Sequence, residues 1–307
     1  MVLREARGVL GKIAADLDRA LRERAASGAP GQPFARVLDR GEGWSVSDVI
    51  CTSGPNDRPF EEQHAGVSVG MVVGGTFQYR SSRGQHLMTP GSFLLGNDGD
   101  CFECGHEHAA GDRCVSFKFT PDYFDRLIAD SNTRRREGKF HSSRLPPRQE
   151  SSALVARAAA ALSRVADVSW EELALEVAAA AIRLDDGRSA ENGRQSSAAV
   201  ARVTESVRAI QRNPSGHLSL DRLAAAARQS PFQYLRTFQR LTGVTPHQFI
   251  LRTRLREAAS RLLEHDTNII DVAFESGFRD LSNFNRAFRL EFGVSPRAYR
   301  RRFGRRG

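Results

Sequence analysis

The chain reads as an α+β protein in two parts. An amino-terminal β-barrel with appended helices comes first, followed by an all-α carboxy-terminal domain with two helix-turn-helix motifs. Three observations predict this. Residues 34–120 carry short apolar runs broken by Gly, Pro and Asn. The last hundred residues contain one helical pattern twice. Charge divides sharply between the two parts. At 307 residues two domains are the expected number; the boundaries are set at 1–185, a linker at 186–197, and 198–307.

In chain order, Leu10, Ile13, Leu17 and Leu21 recur at helical spacing. This helix is expected to pack on the protein's own core, with a dimer-capping role as the alternative. The start is charged and soon acidic, which argues against a signal peptide. No apolar run approaches the ~20 residues that span a bilayer, so no membrane partner is expected and the reading is cytoplasmic. In that reducing compartment the four cysteines are thiols or metal ligands rather than disulfides.

Strand signals follow. Val46, Val49 and Ile50 precede Gly54-Pro55-Asn56-Asp57; Val67 to Val73 precede Gly74-Gly75; then come Phe77–Arg80, Phe93–Leu95 and Val115–Phe119. Short β-rich runs between turn residues suggest a small antiparallel barrel or jelly roll. The pattern then turns helical over 122–130, 151–166 and 170–184, with Leu154, Leu162, Val165, Leu173, Val177 and Ile182 as apolar positions. Alanine runs make good helices and permit close packing, on the barrel or on a second subunit. The polar run from Asp185 to Ser197 reads as a flexible linker.

The repeat lies beyond it. Ser230-Pro231-Phe232-Gln233-Tyr234-Leu235-Arg236-Thr237-Phe238 leads to Gly243-Val244-Thr245-Pro246. Asp280-Leu281-Ser282-Asn283-Phe284-Asn285-Arg286-Ala287-Phe288 leads to Gly293-Val294-Ser295-Pro296. Each copy opens on an N-cap residue and closes on a Gly suited to the left-handed end of a helix. Each is preceded by a short capped helix, from Ser219 and from Asn268, so both form a helix-turn-helix whose second helix enters a major groove. The copies differ in register by one residue at the turn. Between them, residues 246–263 follow helical spacing, and a strut of roughly 27 Å would place the reading helices on successive turns of DNA.

Charge agrees. Residues 198–307 hold 20 arginines, no lysine and nine acids, a net of +11, whereas the preceding part carries 25 basic against 27 acidic residues. A basic domain beside a near-neutral one points to a polyanion, and the arginine fork suits phosphate and guanine. The reading residues nominated are Gln233, Arg236, Thr237 and Arg240 in the first unit and Ser282, Asn283, Arg286 and Arg289 in the second. Tyr234, Leu235, Phe238, Phe284 and Phe288 are expected to pack inward. The arginine-rich tail from Arg297 to Arg306 is a loose phosphate clamp at most.

Residues from about 200 to 303 resemble the DNA-binding domain of the AraC/XylS family of bacterial transcription regulators. The likeness is carried by Gly277-Phe278, Asn283-Phe284-Asn285-Arg286, Phe288, Phe292-Gly293-Val294-Ser295-Pro296 and Ala298-Tyr299-Arg300, and by Gly243-Val244-Thr245-Pro246 with Phe249 and Arg252. It implies two helix-turn-helix units on one module under an amino-terminal regulatory domain. Gly84 to Gly91 followed by Asn97 is similar to the turn of a cupin barrel, although Phe93 stands near where a cupin metal histidine belongs. The partners so implied are double-stranded operator DNA and a second copy of the chain, with RNA polymerase a further candidate.

Three cysteines and two histidines fall within fourteen residues: Cys101, Cys104, His106, His108 and Cys114. Thiolate plus imidazole suits zinc or another soft to borderline metal. Simple packing and thiol redox or electrophile chemistry are the competing readings. Cys51 and His64 are more distant candidates that the barrel would have to bring near. A sensor-coupled regulator leads. The competing classes are a metal-dependent cupin-type enzyme joined to a DNA-binding domain and a zinc-thiolate DNA-alkylation repair regulator. No catalytic residue is nominated.

Overall fold

The computed structural model describes residues 9–130, 138–185, 195–264 and 267–304. Most of the expected linker (186–194), the side chain of Leu10, and Arg305 and Arg306 lie outside the described residues.

The chain opens with α1 (Val9–Ser27) and continues through β1 (Pro33–Gly41), β2 (Trp44–Cys51), β3 (Phe60–Gln63), β4 (Val67–Gly75), β5 (Phe77–Ser81), β6 (Gly84–Met88), β7 (Phe93–Gly96), β8 (Cys101–Gly105) and β9 (Asp112–Phe119). After α2 (Pro121–Asp130), the short β10 (Arg144–Leu145) completes the strands; α3 (Gln149–Leu162) and α4 (Trp170–Leu184) close the domain. The strands form two antiparallel sheets, ordered β1-β2-β9-β4-β7-β10 and β3-β8-β5-β6.

Side-chain alternation gives the larger sheet two different faces. Val67, Val69, Met71 and Val73 of β4 and Val115, Phe117 and Phe119 of β9 point to a core shared with Ile13 of α1, Phe124 of α2 and the apolar faces of α3 and α4. Val72 and Cys114 point the other way and meet Phe77, Tyr79, Met88 and Cys104 of the smaller sheet, which makes the barrel interior. α1 is pinned to the outer face by a buried ionic node. Arg113 donates to both carboxylate oxygens of Asp48, at 2.9 Å each, and to Asp16 of α1 at 3.0 Å. The amphipathic first helix therefore packs on its own core.

Two expectations change. Gly84–Met88 is strand β6, and the turn is confined to Thr89–Ser92, closed by Ser92 N–H donating to Thr89 O at 2.9 Å. Cys101–Gly105, which holds two of the thiols clustered in sequence, is strand β8, whose alternation parts them, and it pairs with β3 and β5.

The carboxy-terminal domain is helical: α5 (Ser197–Arg212), α6 (Leu220–Ala226), α7 (Pro231–Thr242), α8 (Pro246–Arg261), α9 (Ile269–Glu275), α10 (Leu281–Phe292) and α11 (Pro296–Phe303). Ser197, the last residue assigned to the linker, already starts α5. Helix α3 joins the domains. Its Leu154, Val155, Ala158 and Ala159 belong to the barrel-side core, while Ala156 and Ala160 enter the core around Leu255, Ala258 and Ala259 of α8. Alanines on both helices let the backbones approach closely, which is what the alanine runs accomplish here.

Candidate nucleic-acid interface and buried thiol–imidazole site

Each reading helix is built by the same local rules. Ser230 accepts the N–H of Gln233 at 3.3 Å and the Gln233 side chain returns to the N–H of Ser230, a complete capping box with Pro231 in the first turn. Asp280 accepts the N–H of Asn283 at 2.6 Å. Both helices end on a left-handed glycine, Gly243 at φ 80° and Gly293 at φ 74°. The turns before them also correspond. The N–H groups of Arg228 and Gln229 donate to Ala225 O and Ala224 O, as those of Gly277 and Phe278 donate to Phe274 O and Ala273 O. The one-residue offset is thus the insertion of Arg279 before the second cap. Arg228 adopts the left-handed conformation, φ 52°, that glycine supplies at Gly277.

Tyr234, Phe238, Phe284 and Phe288 are fully buried. Gln233, Arg236, Arg240, Ser282, Asn283, Arg286 and Arg289 are exposed, and Thr237 and Leu235 are half-buried. Asn285, not nominated from the sequence, is exposed on α10 as well. Arg236 lies over the exposed ring of Phe232, 5.8 Å from its centroid, and Arg286 is near Asn283 Oδ1 at 3.4 Å. Helix α8 joins the units: Phe249 and Ile250 lie in the first core, Leu255, Ala258 and Ala259 in the second. Its sixteen residues span ~24 Å.

Not every arginine faces outward. Arg254 donates to Pro214 O, Gly277 O and Gly216 O, and Arg300 to Leu262 O and Thr267 O. Arg252 donates to Pro147 O at 2.8 Å and pairs with Glu291 at 3.3 Å. Arg256 is buried against the amino-terminal domain, and burial pushes its pKa down to about 10. These side chains organise the protein, so Arg300 is no part of a phosphate clamp.

Of the sequence-nominated thiol–histidine set, Cys104, His106 and Cys114 gather near Asp112, whereas Cys101 and His108 do not join them. Cys101 and Cys104 lie three apart on β8 and so face opposite sides: Cys101 is exposed, Cys104 buried. His108 leaves the strand and sits 3.3 Å from Ser197 Oγ. Among the described residues, the group with ligand atoms mutually within 4.8 Å is Cys51, His106 and Asp112, all buried. Cys51 faces Asp112 across the β2–β9 ladder. His106 Nε2 is 2.7 Å from Asp112 Oδ1, and its Nδ1 is buried without a hydrogen-bond partner. Cys114 Sγ donates to Asp112 Oδ2 at 3.3 Å. Burial raises the Cys104 and Cys114 thiols well above their usual range, with the Asp112 carboxylate adding to it. Burial also opposes charge on His106, but the Asp112 carboxylate that accepts from its ring, with Cys51 beside it, outweighs this and holds the imidazole up to about 9. His64 is used otherwise, with Tyr79 Oη and Ser68 Oγ each 2.9 Å from its ring nitrogens and Phe102 stacked at 4.2 Å.

A two-sheet barrel docked on a double helix-turn-helix module defines a two-domain regulator architecture. The family description "AraC-like ligand binding domain" matches residues 47–178, and "Helix-turn-helix domain" matches 223–302. The chain is 36% identical over 156 residues to the transcriptional activator NphR of Rhodococcus, covering 48% of this chain and 43% of that protein. It is 32% identical over 91 residues to the "Probable transcription factor PqrA" of Proteus vulgaris, covering 30% of this chain and 73% of that protein. Among solved structures, the DNA-binding domain of AdpA in complex with a target DNA is 33% identical, covering 33% of this chain and 91% of that one, with a TM-score of 0.31. The chain belongs to the AraC family of transcription regulators. It spans less than half the length of NphR. No described helix is long and apolar enough to cross a membrane.

Proposed function

We propose that the protein is a sequence-specific DNA-binding regulator whose reading helices α7 and α10, held on the common strut α8, enter successive major grooves of an operator. The single observation carrying this is the pair of helices, each with a side-chain N-cap and a left-handed terminal glycine, with inward aromatics, exposed Gln233, Arg236 and Arg240 beside half-buried Thr237, and exposed Ser282, Asn283, Arg286 and Arg289. Its partner is double-stranded DNA in the cytoplasm. A homodimer is supported by β1, an edge strand with Phe34 and Val37 exposed. RNA polymerase joins the partners where the protein activates. No turnover is assigned to it. Full-length protein should retain a restricted set of sequences from a random DNA pool, with steep salt dependence. Retention without any sequence preference would refute the reading.

The signal is proposed to enter through the barrel interior, where Cys51, His106 and Asp112 hold a zinc-like ion with Cys104 and Cys114 close by. A thiolate, an imidazole and a carboxylate suit zinc, and the ligand atoms of these three buried residues lie within 4.8 Å of one another. Elemental analysis should find about one metal per chain, lost in Cys51→Ser and His106→Ala but kept in Cys101→Ser and His108→Ala. A metal-free protein whose Cys51, Cys104 and Cys114 serine variants all regulate normally would remove both the metal and the thiol versions.

A further inference from the structure

The reading face of α7 is exposed, but it does not stand apart from the regulatory domain. It forms one wall of a cleft of about 980 Å3 whose other wall is the regulatory domain. Six arginines line it: Arg144 and Arg148 from the regulatory domain, Arg202 from α5, Arg228 from the turn, and Arg236 and Arg240 from α7. No carboxylate is among the lining residues. Such a concentration of like charge repels itself unless an anion intervenes.

Hydrogen bonding points the same way. His86, on β6, lines the cleft with only 4% of its surface exposed, and its Nε2 has no hydrogen-bond partner. The buried Nε of Arg202 is also without one. Buried donors left unsatisfied are costly, and in native structures they usually mark an absent ligand, ion or water. The cleft is already closed at one end by direct contact between the domains. Arg144 donates to Leu241 O at 2.7 Å and to Leu87 O at 3.1 Å. A side chain at Gly243 would meet Pro146.

We propose that this cleft binds a small polyphosphate, bridging the regulatory domain and the first reading helix. The volume is that of a small-molecule site. A helix inserted in a major groove has a phosphate backbone on either side, and here the regulatory domain occupies one of those sides. A compact anion satisfies the guanidiniums of both walls at once. Guanidinium forks match phosphate geometry, Arg202 Nε–H supplies a donor at the flank, and His86 supplies a second in the tautomer that carries its proton on Nε2. Bound in this way, the anion holds the two domains together and keeps α7 out of a groove.

The test needs no DNA, so it is independent of how α7 reads bases. Full-length protein is titrated calorimetrically with tripolyphosphate, with ATP and with citrate at fixed ionic strength. Tripolyphosphate and ATP should bind at about one per chain and citrate more weakly. Arg148→Ala on one wall and Arg228→Gly on the other should each weaken binding roughly ten- to a hundredfold. Arg126→Ala, on the remote helix α2, should leave it unchanged, and circular dichroism checks that all three fold. Absence of polyphosphate binding overturns the proposal, as does a loss with Arg126→Ala equal to the others, which would mean non-specific attraction to a basic chain. Tighter binding of citrate than of tripolyphosphate overturns it in favour of a polycarboxylate site. If no polyphosphate binds and Arg148→Ala instead lowers the salt slope of DNA binding by about one, the cleft is a wall for DNA.

Discussion

The first and second helix-turn-helix units share their caps, buried aromatics and terminal glycine, yet the regulatory domain meets them at different places. At the first unit it reaches the reading side: Leu87 enters the core, Arg144 takes a carbonyl of α7, and His86 and Arg148 stand opposite Arg236 and Arg240. At the second it meets the far end of α10, through Gln149 donating to Leu290 O at 2.5 Å and Ser152 bonding Glu291. The reading face of α10 borders a cleft lined only by carboxy-terminal residues. One motif used twice therefore gives a unit governed at its reading face and a unit left open, so regulation is expected to act first on α7.

The largest expected effect comes from the cores. Phe288 is fully buried against Phe284, Phe292 and Tyr299. Phe288→Ala should cost ~3–5 kcal/mol in denaturant unfolding, with amide exchange in α10 and α11 rising before that in α7. Uniform exchange across both units would show that they do not unfold separately. Next comes Arg144→Ala, which removes the charged donor to Leu241 O of α7, worth ~1.5–3 kcal/mol. It should raise exchange at α7 and leave α10 protected. Equal deprotection of the two helices would erase the difference between the units.

A titration separates the regulatory domain from both. His106, held up to about 9 against an unfolded value of about 6.5, adds stability that is complete below pH 6.5 and fades as pH climbs to 9. His64 and His86 are pushed down to about 4 by burial, with Arg144 assisting at His86. Their neutral forms suit the fold, so stability is full above pH 6.5 and falls as pH drops toward 4. Chelator-treated protein should therefore be most stable near neutrality, and His106→Asn should flatten the alkaline limb alone. An unchanged alkaline limb would mean that the His106–Asp112 pair contributes nothing to it. The smallest effect concerns the turns. Arg228→Gly relieves a left-handed non-glycine residue and should stabilise by about 0.5–1 kcal/mol in thermal unfolding; destabilisation would show that the Arg228 side chain holds the turn.

The helical repeat was legible because caps, aromatics at helical spacing and a terminal glycine are local signals that tertiary packing only reinforced. The strands of β2, β4, β5, β7 and β9 were legible for the same reason, from apolar runs between turn residues. The thiol site was not. Sequence proximity suggested Cys101, Cys104 and His108, but the two-residue spacing on β8 turns Cys101 outward, and cross-strand register brings Cys51 and Asp112 to His106 from other strands. Pairing register has no local signature. Likewise, arginine count read as DNA affinity, while Arg252, Arg254, Arg256 and Arg300 serve backbone carbonyls and domain docking, roles visible only once the chain is folded.

The central claim is that two reading helices on one strut contact separate stretches of the same DNA face. It is tested most directly by selecting sequences bound by full-length protein and by its Arg236→Ala and Arg286→Ala variants. Two preferred stretches should emerge, with centres about one helical turn apart, roughly 10 base pairs. Each variant should lose ~1–3 kcal/mol and relax preference at one stretch only. A single stretch relaxed equally by both variants, or equal losses on selected and random DNA, would contradict the account.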